Sequence, residues 1–188
     1  MLAMVPLVIL SVVSGAILST WNDKIVIASD VNALPSSMDG CSVIFLGSSP
    51  ESNPILDTIE TTTTNIVRSD DLSVLDTVNE SNSMVLIDGV WAQKENHDGL
   101  VIALRSLVVA GVPVVIINGD ADIIREAVEN DKRIGYMIST SPNSLCSAGI
   151  HYDATRHCGE SYDYSSINGD LALAGMNAYQ WCAQFLHG

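Results

Sequence analysis

The sequence predicts an α/β fold, a doubly wound and mostly parallel sheet of five or six strands. Two observations carry that expectation. Short β-branched runs alternate along the chain with longer stretches of helical periodicity, and the strand-like runs are apolar at consecutive positions instead of every second one. A strand that is apolar on both sides belongs in a sheet covered on both sides. Crossovers of one hand then distribute the helices over the two faces.

The elements follow in order. Lys24–Ser29, Ser42–Gly47, Asn65–Arg68, Met84–Asp88, Val112–Asn118 and Gly135–Ser139 read as strands, each bounded by turn residues. Ser52–Thr61, Asp71–Glu80, Asn96–Ala110 and Ala121–Asn130 read as the helices between them. The third is the clearest, because Leu100, Ala103, Leu104, Leu107 and Val108 fall on one face. Gly111 then offers a residue free to take positive φ, and Pro113 opens the next strand. Ser141–Gly169 is rich in Ser, Tyr, Asn and Gly and reads as an irregular segment, with Ile150-His151-Tyr152 as a short strand inside it. The chain closes with an amphipathic helix over Asp170–Leu186, introduced by the turn and cap Asn168-Gly169-Asp170.

Ahead of this domain, Met1 to Trp21 contains no charged side chain. As a helix it would be roughly 31 Å long, close to the hydrocarbon thickness of a bilayer. Three readings stand: an uncleaved anchor ending at the interfacial Trp21, a signal peptide cleaved after Ala16, or a buried core helix. The first two place residues 22–188 outside the cytoplasm as a single domain, membrane-tethered in the first case and secreted in the second. The chain has 22 acidic and 8 basic residues, for a formal charge of −14. That balance excludes nucleic acid, which needs clustered Lys and Arg, and excludes adhesion to anionic lipid headgroups. Lysine appears only at positions 24, 94 and 132. Such a surface suits high salt, where counterions screen self-repulsion, and suits an ordinary acidic exported protein equally.

In a parallel sheet, ligands bind beyond the carboxyl ends of the strands. The residues expected along that rim are Ser48, Ser49, Asp70, Asp88, Asn118 and Asp120. Asp70, Asp88 and Asp120 are candidate oxygen ligands for Mg²⁺ or Ca²⁺. The same residue types also cap helices that begin at such turns. The rim has no Gly-x-Ser-x-Gly elbow, no P-loop lysine and no complete dinucleotide fingerprint.

From Ser42 onward the strand order expected is flavodoxin-like or, more broadly, Rossmann-like. Within it, residues 42–143 resemble the layout of response-regulator receiver domains. Met84-Val85-Leu86-Ile87-Asp88 is similar to the strand ending in their phosphate-accepting aspartate, Val112–Ile117 to the following strand, and Ser141-Pro142 to their Lys-Pro. The resemblance implies phosphoryl transfer at Asp88, but the charges for it are missing. Gly47-Ser48 replaces the acidic metal-binding pair, Asn118 replaces the Ser/Thr, and Thr140 or Ser141 stands in place of the lysine.

Cys41, Cys146, Cys158 and Cys182 are an even number in a chain expected outside the cytoplasm. A Cys146–Cys158 disulfide is the first reading, with free thiols or a zinc site using His151 and His157 as rivals. For Cys41 and Cys182 a bond and two buried thiols are both open. Asn79-Glu80-Ser81 is the one glycosylation sequon. Taken together, the sequence points to an exported domain that binds a protein or small-molecule ligand without a cofactor. The rival is a divalent-metal-dependent hydrolase using the rim carboxylates.

Overall fold

The computed structural model describes residues 41–119, 122–129, 145–156, 158–166 and 169–186. The uncharged segment 1–21, the strands expected at 24–29 and 135–139, and Asp120 lie outside the described residues. Among those described, no helix is long and apolar enough to cross a membrane.

Six strands form one sheet: β1 (Ser42–Leu46), β2 (Ile66–Ser69), β3 (Ser83–Asp88), β4 (Val114–Ile117), β5 (Leu145–Asp153) and β6 (Cys158–Ser166). Their order is β2-β1-β3-β4-β5-β6. The first four are parallel, while β5 runs antiparallel to β4 and β6 antiparallel to β5. The helices are α1 (Gly89–Ala92), α2 (His97–Val109), α3 (Asp122–Val128) and α4 (Leu171–Ala183). The expected α/β sheet is present, and its four parallel strands follow the expected order. Its far side is an antiparallel hairpin.

Alternation along the central strands divides the core in two. Ile44, Leu46, Val85, Ile87, Val114 and Ile116 pack with α1, α2, α3 and the turn at Leu72–Thr77. Val43, Phe45, Met84, Leu86, Val115 and Ile117 pack with α4 and the turns of residues 54–61. The β1-to-β2 crossover therefore lies on one face, and those that move toward β3 and β4 lie on the other, as crossovers of one hand require.

Two of the expected helices take a different form. Residues 50–61 make three single-turn 3-10 helices, Pro50–Ser52, Pro54–Leu56 and Ile59–Thr61, and the next crossover makes a six-residue 3-10 helix at Leu72–Thr77. Prolines at residues 50 and 54 remove backbone donors and restart the chain, and the run Thr61–Thr64 is β-branched and turn-prone. The segment expected to be irregular is instead the β5–β6 hairpin, nine residues on each strand. Its polarity comes from its place at the edge. Tyr162 and Tyr164 lie against the α4 side of the core, while Ser161 and Asp163 face outward.

The hairpin also separates the cysteines that were expected to bond. Cys146 pairs with Ser165 and Cys158 with Asp153, seven residues apart along β5. At strand rise that is roughly 23 Å, against a disulfide limit of about 7 Å between Cα atoms. The Cys146–Cys158 bond is incompatible with this register. Cys41 and Cys182 are buried free thiols, and burial pushes both above the ordinary thiol range.

Caps and cross-links fix the helices in place. Asn96 accepts from the Gly99 N–H at the start of α2, and Asp170 from the Leu173 N–H at the start of α4. From α2, Arg105 donates to the Ala127 and Glu126 carbonyls at 2.7 and 3.1 Å, satisfying the open end of α3. On the other face, α4 presses Gly175 against the 54–56 turn. A Cβ at Gly175 would stand 2.1 Å from the Ile55 carbonyl oxygen. Gly175→Ala gains helix propensity of about 1 kcal/mol but overpacks against rigid backbone, at a cost of about 1–3 kcal/mol. The expected result is a lower urea midpoint with an unchanged m-value. A raised midpoint would show that the contact yields.

Candidate functional site

The rim is built by the loops that follow the parallel strands. After β1, Gly47 donates its N–H to the Ser69 carbonyl at 3.0 Å, and Ser49 turns the chain with φ 53°. Asn53 then caps the Pro54–Leu56 turn by accepting from the Ile55 N–H. After β3, Asp88 caps α1 by accepting from the Val90 N–H at 3.0 Å. Its second oxygen accepts from Asn53 Nδ2 at 3.1 Å, and the same Nδ2 lies 3.4 Å from the Ser48 carbonyl. Asn53 and Asp88 are only 8% and 7% exposed. Asp88 is thus the one buried charged side chain among the described residues, with both oxygens occupied.

This pair lies between β1 and β3, from which the chain leaves toward opposite sides of the sheet. Such a switch point is where an open crevice receives a ligand. Here the side chain of Asn53 bridges it. The next gap, between β3 and β4, is closed by backbone. A Cβ at Gly89 would lie 2.2 Å from Gly119 Cα, and one at Gly119 would lie 2.5 Å from Gly89 Cα. Asn118, with φ 61°, turns the chain into this contact.

The expected rim residues therefore divide. Ser48 and Asp88 come together through Asn53. Ser49 is exposed, Asn118 is partly exposed beside Gly89, and Asp120 lies outside the described residues. Asp70 is exposed, and its carbonyl accepts from the buried Trp91 Nε1 at 3.2 Å. Among the described residues, no three His, Cys, Asp or Glu side chains gather as a metal-binding group. Asn53 and Trp91 are the rim residues that the sequence reading missed. Asn53-Pro54 did carry a signal, since Asn at a cap followed by Pro at the first position starts a helical turn.

Two histidines titrate in opposite senses. His97, in the first turn of α2, bonds Glu126 of α3 at 2.7 Å, and that hydrogen bond raises its pKa. His151 stacks on Phe185 with ring centroids 3.9 Å apart, and burial lowers its pKa. The His97 contribution to stability is full below its ordinary value of 6.5 and is lost as pH rises through the raised folded value. The His151 contribution is full above 6.5 and is lost as pH falls toward the lowered folded value. An NMR titration should place His97 above and His151 below 6.5, with Glu126→Gln lowering His97 alone. Coincident titrations would refute the two contacts.

The Asn53–Asp88 bond has its own test. Asp88→Ala removes a cap and leaves a buried amide donor with a weaker partner, and should cost about 2–3 kcal/mol in urea denaturation. Asn53→Ala should cost about 1.5–3 kcal/mol. The double variant should show a coupling of about 1–2 kcal/mol; strict additivity would mean that the bond contributes nothing.

Comparison of the chain with protein-family models, with curated proteins and with solved structures finds no match.

Proposed function

We propose that this chain is an exported α/β domain, a variant of the flavodoxin-like plan, that binds a protein or small-molecule ligand without transforming it. Residues 1–21 tether it to the membrane, or cleavage after Ala16 removes residues 1–16. The observation that carries the non-catalytic reading is the state of Asp88. A carboxylate that acts as base, nucleophile or metal ligand needs an oxygen directed at the reacting group. Both Asp88 oxygens are directed at Asn53 and Val90 instead. The binding surface on this reading is the outer lip of the rim, where Ser48, Ser49, Asp70 and Asn118 are exposed or partly exposed above a floor closed by Asn53 and by Gly89 against Gly119. Hydroxyl, amide and carboxylate groups of this kind suit recognition by hydrogen bonds.

The hydrolase alternative makes an opposite prediction. It requires Mg²⁺, Mn²⁺ or Ca²⁺ at Asp88, and saturating metal at 100 times its dissociation constant would add about 2.7 kcal/mol of stability. The expected result is little change in melting temperature with any of the three ions, no turnover of p-nitrophenyl phosphate, and no phosphoryl adduct on Asp88 after incubation with acetyl phosphate and Mg²⁺. Metal-dependent stabilisation or turnover that disappears in Asp88→Asn would overturn the binding reading.

A further inference from the structure

We propose that Asn79 is an N-glycosylation acceptor, modified from a lipid-linked oligosaccharide diphosphate; the assignment rests on the export reading above. Asn79-Glu80-Ser81 satisfies the acceptor pattern, with a residue other than proline between Asn and Ser. The structure adds what the motif does not contain. All three residues are exposed. They lie in the turn between Leu72–Thr77 and β3, closed by the Asn82 N–H donating to the Asn79 carbonyl at 3.2 Å.

Within that turn the two ends of the Asn79 amide differ. Its Oδ1 accepts from the Ser81 N–H at 3.1 Å. Its Nδ2 has no hydrogen-bond partner among the described residues. Nδ2 is the atom that takes the sugar, so modification breaks no contact that the fold uses. The turn itself is held to the sheet, because Ser42 donates its N–H to the Asn82 carbonyl at 2.8 Å. It sits at the amino ends of β1 and β3, the opposite end of the parallel strands from Asp88. A glycan there leaves the rim open.

The chemistry balances without an oxidant or reductant. Nδ2 attacks the anomeric carbon, a C–N bond forms, and the bond from that carbon to the diphosphate oxygen breaks. The lipid diphosphate leaves with the electron pair, and one Nδ2 proton passes to a base of the transferase.

The test expresses the full chain in a eukaryotic secretory system in two forms, one behind an added cleavable signal and one with its own first 21 residues. Both forms should carry a single glycan, removed by peptide N-glycosidase to leave aspartate at position 79. Asn79→Gln and Ser81→Ala should abolish the modification, and Ser81→Thr should retain it. Ser81→Ala, which keeps the bond from the residue-81 N–H to Asn79 Oδ1, should keep the melting temperature of the unglycosylated chain, so that loss of the glycan reports the site and not the fold. An unmodified Asn79 in the signal-directed chain would overturn the inference and leave the export reading standing. A glycan on the signal-directed chain alone would overturn the export reading, and with it the modification of the native protein.

Discussion

The central strands β1, β3 and β4 carry apolar side chains on both faces, and neither face can meet water without losing the burial that holds the sheet together. The rest of the architecture answers that constraint. One face is covered in the ordinary way, by α2 and α3 joined through Arg105 and through His97 with Glu126. The other face has only short 3-10 turns in its crossover. Turns of three residues cover little area. The final helix, α4, completes that cover, and it approaches the 54–56 turn so closely that position 175 has no room for a side chain.

The same closeness governs the rim. In an open parallel sheet the switch point is a crevice because the loops diverge there. In this protein the loops are pulled back together by Asn53 reaching across to Asp88, and by Gly89 and Gly119 meeting backbone to backbone. A buried carboxylate without an opposite charge is costly unless hydrogen bonds replace its hydration. The Val90 N–H and the Asn53 amide provide that replacement. The arrangement that makes Asp88 tolerable in the interior is also what occupies its oxygens.

The antiparallel hairpin changes the far side of the sheet. Its β5 strand is buried and small, with Ser147, Ala148 and Gly149 in sequence, and Gly149 leaves space that Trp181 of α4 occupies next to Val115. Tyr162, Trp181, Phe185 and His151 then form a continuous aromatic contact between hairpin and helix. The last turn of α4, through Trp181, and Phe185 just beyond it are thus held by stacking.

By itself the sequence determined the α/β class, the four parallel strands, and the two long helices with their caps. These depend on local periodicity and on residues such as Asn96, Gly111 and Asp170, whose preferences act within a few positions. It also placed Ser48 and Asp88 at the carboxyl ends of strands. It did not determine the hairpin, because an edge strand of Ser, Tyr and Asp gains its order from β5 and α4 and not from its own composition. Nor did it show that Asp88 is occupied, since Asn53 lies 35 residues away and meets it only when β1 and β3 pair. Contacts of that kind are decided by register and by the direction in which each loop leaves the sheet, and only the tertiary structure sets these.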